Sequence, residues 1–370
     1  MNLIFITMDG ARVDHIVFGK NYNNIIKKSA FFSRVVAYAP YTIGAMHAIF
    51  SGTYGTKTGV NSYWSNVNFK KDKYKTITKY LKDEEYLTYG DTINKLVLPP
   101  VGFDELVIHD ELNDNLTERH LALIDKFNNL SKEGKKFFLY LHYSNIHTGI
   151  MQEVLKKYDN FSKEYFANRE RNEQFYKKLF DAADEYLGKL FTHVEKLGLA
   201  KNTLIVIVSD HGISVGEKFG ERAYGVFCYD YTLTATAIFC HPDIHPTSIS
   251  NQVRSIDILP TILEILNIKT DPKYEKFQGE SLIPFINGSG ISKIAFSQSG
   301  NPLETGKPPK QPNVWAVRTN EWKFIRNIHN GTEELYSLKD DPREENNVIS
   351  RFPQKAAELR IQLDQISSDT

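Results

Sequence analysis

The sequence predicts an α/β fold: a large mostly parallel sheet flanked by helices, followed by a smaller C-terminal α+β subdomain. Three observations predict it. The runs Asn2-Leu-Ile-Phe-Ile-Thr-Met8 and Leu204-Ile-Val-Ile-Val-Ser209 are almost wholly apolar, which suits strands buried on both faces as in parallel sheets. Each run delivers polar groups directly at its end, Asp9-Gly10 after the first and Asp210-His211-Gly212 after the second. Strand-like and helix-like segments alternate around them. Open parallel sheets bind ligands at the carboxyl ends of their strands, so these acids are expected at one rim, where they suggest a metal site.

The elements follow in order. After the first strand, Val36 to Gly59 carries a loop and a short helix, Ala45 to Phe50, closed by Ser51-Gly52. Lys75 to Glu85 has apolar residues at helical spacing, and Tyr86 to Gly90 reads as a strand leading to Asp91. Asn115 to Leu130 is a helix, Lys136 to His142 an apolar strand, and Glu164 to Leu197 a long charged helix ahead of strand 204 to 209. Thr234 to Cys240 is a further strand and Ser255 to Leu266 a helix. The character then changes over the polar stretch Asn267 to Gln278, which divides a main domain, 1–270, from a C-terminal unit, 271–370. In that unit Ile294 to Ser299, Val314 to Thr319 and Trp322 to Ile328 read as short strands, the last two joined as a hairpin at Asn320-Glu321. A helix from Pro353 to Ile366 closes the chain.

Composition bounds the partners. The 370 residues hold 45 basic and 45 acidic side chains, so no global charge points to nucleic acid or an anionic membrane. Two cysteines, Cys228 and Cys240, exclude a disulfide framework, and their apolar neighbours suggest buried thiols. The N-terminal apolar run flows straight into the Asp9 motif without the layout of a signal peptide, and no run is long enough for a membrane span. The expected location is the cytoplasm.

Thr42, in Pro40-Tyr41-Thr42-Ile43-Gly44-Ala45-Met46, sits just before the short helix. It can be a plain N-cap, or it can place an oxygen where free N–H groups and the helix dipole favour an anion. Its company decides. The chain resembles the sulfatase branch of the alkaline phosphatase superfamily over nearly its whole length. The resemblance rests on Asp9 after the first strand, Pro40-Tyr41-Thr42 with Ser51-Gly52, and Ser209-Asp210-His211-Gly212. Weaker signatures fall in the same order: His142-Tyr-Ser-Asn-Ile-His147, Asp257-Ile-Leu-Pro-Thr261, Gly279-Glu-Ser-Leu-Ile-Pro284, and the segment from Ala316 to Asn346.

The resemblance implies an alkaline phosphatase-like fold and an ester hydrolase. Asp9, Thr42, Asp210 and His211 form an N/O shell for a divalent cation, Zn²⁺ or Mn²⁺ ahead of Ca²⁺ or Mg²⁺. Such an ion would lower the pKa of the Thr42 hydroxyl for attack on phosphorus or sulfur. His147 is the candidate proton donor to the leaving group. His142, Lys218, Arg222 and Tyr224 are candidate substrate contacts, with exposed or core roles as the alternative. Arg12 and His15 read as an ion-paired face. Tyr41, Tyr63, Trp64 and Tyr224 are candidate pocket walls.

Three departures bear on the reaction. The sulfatase pattern has an oxidisable Cys or Ser and, four residues on, Arg; here Thr42 and Met46 stand there. Threonine cannot give the formylglycine aldehyde. The acids after the first strand are reduced to Asp9-Gly10, and His211 replaces the usual Asn. These changes point first to a metal-dependent hydrolase of phosphate or phosphonate esters through a covalent Thr42 intermediate, phosphodiesterases among them. Alternatives are a sulfuric ester hydrolase, a phosphoglycerol or phosphoethanolamine-type transferase, and an inactive binding module. The expected partner is a small-molecule or glycan-linked phosphate or sulfate ester.

Overall fold

A computed structural model describes residues 1–302, 307 and 309–368. Its main sheet contains β1 (Asn2–Met8), β2 (Ala30–Val36), β3 (Leu87–Thr92), β4 (Glu105–Ile108), β5 (Phe137–Tyr143), β6 (Thr203–Val208), β7 (Thr234–Cys240), β8 (Thr247–Ile249) and β9 (Val253–Arg254). The order is β4-β3-β5-β1-β6-β7-β2-β8, with β9 also on β2. Only β7 runs against the others. The carboxyl ends of β3, β5, β1, β6 and β2 therefore meet at one edge.

The two central runs behave as their composition requires. Every residue of β1, β5 and β6 is buried. Alternation splits β1 between two apolar layers. Leu3 and Phe5 face a core with Phe50 and Leu259, while Ile4, Ile6 and Met8 face Tyr22, Phe180 and Leu187. The long helix Arg169–Lys196 lays its apolar stripe on the second layer.

The structure corrects several expected boundaries. The helical stretch expected over 164–197 is broken at Asn168, which separates Lys163–Ala167 from Arg169–Lys196. The helix after β2 begins at Thr42, not Ala45, and runs to Ser51 with every residue buried. Five strands were not anticipated: β2, β4, β8, β9 and, in the second sheet, β13. Cys228 and Cys240 are both free and buried.

The second sheet is an antiparallel meander of β10 (Ala295–Ser299), β11 (Val314–Arg318), β12 (Trp322–Asn327) and β13 (Thr332–Ser337). Phe296, Val317, Phe324 and Leu335 share a core with Ala356, Leu359 and Leu363 of the closing helix Pro353–Ser368, and with Tyr38, Ala39 and Tyr41. This sheet props up the segment leading to Thr42. The Gln298 N–H donates to Tyr38 O (2.9 Å) and Ser297 Oγ to Ala37 O (2.7 Å). Ser299 Oγ donates to Gly225 O (2.8 Å), fixing a second loop that reaches the same edge.

Candidate metal centre

Three chain segments converge at the carboxyl edge. Asp9 follows β1 and is tied by its N–H to Tyr143 O at the end of β5 (3.1 Å). Asp210 and His211 follow β6 after Ser209. Gly10 joins the first two segments: its N–H donates to Asp210 Oδ1 (3.1 Å), at a φ of +73° with Ile213 where a Cβ would sit. That left-handed backbone and lack of room require glycine. The third segment is the Thr42–Ser51 helix, with Tyr41 in the N-cap position. Thr42 is thus the first residue of the helix, and the N-cap reading fails. Its Oγ1 lies 3.3 Å from both Asp9 Oδ2 and His211 Nε2.

The donor set fits a cation. Asp9 Oδ1 and Asp210 Oδ2 are buried and have no hydrogen-bond partner among the described residues. Lone pairs buried in this way carry an uncompensated desolvation penalty. Oxygens of both acids and a ring nitrogen of His211 lie within 4.8 Å of one another. His211 Nδ1 donates to Gly212 O (2.8 Å), since a carbonyl can only accept, and this leaves Nε2 as the ligand atom facing Thr42. Burial, and then the charge of Asp9, push the Asp210 carboxyl above its usual range. Burial alone would also lift Asp9, yet the charge of His147 and the hydrogen bond from His142 hold it well below that range.

The predicted surroundings divide. His147 stands at the mouth, 3.9 Å from Asp9 Oδ2, with Nδ1 at 3.1 Å from Tyr224 OH. The Tyr224 ring lies 5.1 Å from that of His211. Arg222 lies close by, lining a cavity together with Tyr41, Tyr63 and Tyr224. Trp64 does not line it and is half exposed, edge-on to Tyr63.

Two candidate substrate contacts are corrected. His142 is fully buried: Nε2 donates to Asp9 Oδ2 (3.0 Å) and Nδ1 lies 3.2 Å from Thr92 Oγ1, so it orients Asp9 and presents no nitrogen to a substrate. The Lys218 ammonium is held elsewhere, on Glu344 O and over the Tyr229 ring. Arg12 and His15 pair with acids as expected, Arg12 with Asp14 and Glu217 and His15 with Glu173.

A second buried cluster escaped the sequence reading. Asp91 at the end of β3 takes His109 Nδ1 on Oδ1 (2.5 Å) and Arg119 Nε on Oδ2 (2.5 Å), with His120 Nε2 at 3.5 Å. His109 Nε2 meets Ser144 Oγ (2.9 Å) and His120 Nδ1 meets Tyr186 OH (2.6 Å). The signal available was Asp91 at a strand end. Its partners come from a distant strand and helix with no common spacing.

Known proteins place these geometries in context. The family model described as "Sulfatase" matches residues 1–268, and that of "N-sulphoglucosamine sulphohydrolase, C-terminal" matches 225–369. The chain is 29% identical over 188 residues to N-acetylglucosamine-6-O-sulfatase of Bacteroides thetaiotaomicron, covering 48% of this chain and 32% of the relative. It is 26% identical over 191 residues to arylsulfatase K of Bos taurus, covering 50% and 34%. The chain thus spans about a third of the length of these curated relatives. Solved structures match its whole length. A protein in complex with its substrate D-glucosamine-2-N,6-O-disulfate aligns with a TM-score of 0.74 at 19% identity, over 99% of this chain and 97% of the other. The phosphonate monoester hydrolase of Agrobacterium radiobacter aligns at 0.75 and 15% identity, over 99% and 96%. The fold is the sulfatase, alkaline phosphatase-like one that the motifs implied, and the chain belongs to the sulfatase family.

Proposed function

We propose that this chain hydrolyses sulfuric esters carried on sugars, with Thr42 as the nucleophile. The observation that carries the reading is the placement of Thr42 Oγ1, 3.3 Å from both Asp9 Oδ2 and His211 Nε2. Sulfur is favoured over the phosphorus first expected because the family and the curated relatives are sulfatases. Asp9, Thr42, Asp210 and His211 would hold a divalent ion, Zn²⁺ or Mn²⁺ given the imidazole ligand. When bound, that ion lowers the pKa of the hydroxyl and offsets charge on the ester oxygens.

The chain's own groups supply the rest. Asp9 Oδ2 is the acceptor for the Thr42 proton. The oxygen then attacks sulfur, the bond from sulfur to the sugar oxygen breaks, and His147 protonates the departing alkoxide. Tyr224 fixes the His147 ring through Nδ1. Because threonine offers no aldehyde route, water attacks sulfur in the second step. His147 takes its proton, the bond from sulfur to Thr42 Oγ1 breaks to release sulfate, and Asp9 returns the proton that restores the Thr42 hydroxyl. A second reading, phosphate or phosphonate monoester hydrolysis by the same steps, is favoured by the non-oxidisable Thr42 itself.

The test couples metal analysis to a panel of sulfate, phosphate, phosphodiester and phosphonate esters. We expect one ion per chain and the highest kcat/KM on sulfate. Thr42→Ala is expected to lose at least about 10³-fold in kcat. A preference for phosphonate overturns the choice of sulfur, and unchanged turnover in Thr42→Ala overturns the nucleophile.

A further inference from the structure

The cavity beside Thr42 contains a cation that the reaction above does not use. It measures about 170 Å³ and its lining includes Tyr41, Tyr63, Leu155, Asn160, Arg222 and Tyr224. That is below the several hundred Å³ of a site for a drug-sized ligand, so it suits a single ring. It adjoins the metal centre, because Tyr41 directly precedes Thr42 and Tyr224 bonds His147. Three tyrosine rings in the walls offer apolar faces for the C–H surface of a sugar.

Among the described residues of this lining, Arg222 is the one with a charged side chain. Its Nη1 donates to Asn160 Oδ1 (2.5 Å). Its Nε is buried without a hydrogen-bond partner, and no carboxylate pairs with the guanidinium among the described residues. Nε has no exposed surface, so the donors left for an anion in the cavity are those of Nη2, which makes no hydrogen bond to a described residue. A half-buried guanidinium in that state bears a desolvation cost that an anion would offset.

We propose that Arg222 binds a second anionic group on the sugar whose ester Thr42 attacks, so that the preferred substrate is a doubly anionic ring. The second anion is a carboxylate or a further sulfate. This rests on the hydrolase reading above, and the test separates the two. Wild type, Arg222→Gln and Arg222→Lys are compared on glucose 6-sulfate, glucosamine 2-N,6-O-disulfate and a glucuronate O-sulfate. In parallel, calorimetry follows binding of the same three compounds to metal-loaded Thr42→Ala, with and without Arg222→Gln.

Wild type is expected to prefer one of the doubly charged sugars. Arg222→Gln should cut the ratio of kcat/KM, doubly over singly charged, by about 10- to 100-fold, and Arg222→Lys should restore part of it. Whichever doubly charged sugar shows the change identifies the second anion. If wild type cleaves no sulfate ester, the hydrolase reading falls and calorimetry alone decides the inference. A binding preference that Arg222→Gln leaves unchanged overturns it.

Discussion

Two buried Asp/His clusters lie along one edge of the main sheet, built from the same residue types and differing in what fills their lone pairs. In the first, Asp9, Asp210 and His211 leave two carboxylate oxygens without a partner. In the second, Asp91 is met by Arg119 and two histidines, which are themselves met by Ser144 and Tyr186. No side-chain N or O atom of Asp91, His109 or His120 is left unsatisfied. Burial would raise the Asp91 carboxyl, but the bonds from His109 and His120, followed by Arg119, hold it well below the usual range. Composition therefore does not separate a metal centre from a structural ion network. The unmet lone pairs do.

The largest expected effects come from deleting one charge in each cluster. Asp210→Asn keeps an acceptor for the Gly10 N–H and removes an ionised group that burial and Asp9 disfavour. It should lose metal and at least about 10³-fold in turnover, with the metal-free fold as stable as wild type or more so. Asp91→Asn removes the buried charge that His109 and Arg119 bond, leaving Arg119 only its longer pair with Asp114 (3.5 Å), and should cost about 3–5 kcal/mol of stability. Its folded fraction should keep its bound metal. Urea unfolding in chelator, set beside turnover after metal loading, reads both. Equal destabilisation by the two substitutions would erase the distinction.

The sequence exposed the first cluster because its ligands sit directly after apolar runs, where the sheet edge had to be. Asp9 and Asp210-His211 are fixed by two strands, and Gly10 and Gly212 by close approach of neighbouring chain: a Cβ on Gly212 would sit 2.2 Å from Tyr231 O. Thr42 was legible through its motif, although the strand that carries it there, β2, was not. Its alternation is interrupted, with Ser33 and Arg34 only partly buried beside a register shift. The second cluster was illegible because His109 and His120 owe their roles to the pairing of β4 with β3 and to the docking of helix Leu116–Lys132. Lys218 and Arg222, four residues apart in one loop, looked equivalent in sequence; the fold turns one toward Glu344 and the other into the cavity.

Glu221 sharpens the comparison from a third position. Its carboxylate accepts from Val226 N, Phe227 N and Tyr231 OH, three donors, yet it has no cation partner. Burial lifts it to about 7 from an ordinary 4.5. Hydrogen bonds thus do not replace a counter-charge. The folded state holds this proton where the unfolded chain has released it, so stability contributed by protonated Glu221 is present below pH 4.5 and lost as pH rises to about 7. Glu221→Gln should flatten that part of the stability curve, measured by urea unfolding from pH 4.5 to 7.5. An unchanged slope would show that some other buried group titrates there.

The smallest effect concerns a side chain that stands between the two clusters. Thr92 follows Asp91 in β3, and its Oγ1 lies 3.2 Å from His142 Nδ1, while His142 Nε2 holds Asp9 Oδ2. A carboxylate has no proton to offer, so Nε2 donates, and in a neutral ring Nδ1 then accepts from the Thr92 hydroxyl. Thr92→Val keeps the shape and removes that donor. Asp9 retains its hydrogen bond but loses the rigidity behind it, so kcat should fall by about 3- to 10-fold with little change in KM, and Thr92→Ser should recover it. Bound metal should remain at one ion per chain. A loss as large as that of Asp210→Asn would mean that the saturated network sets the geometry of the open one, and the two clusters would have to be treated as a single site.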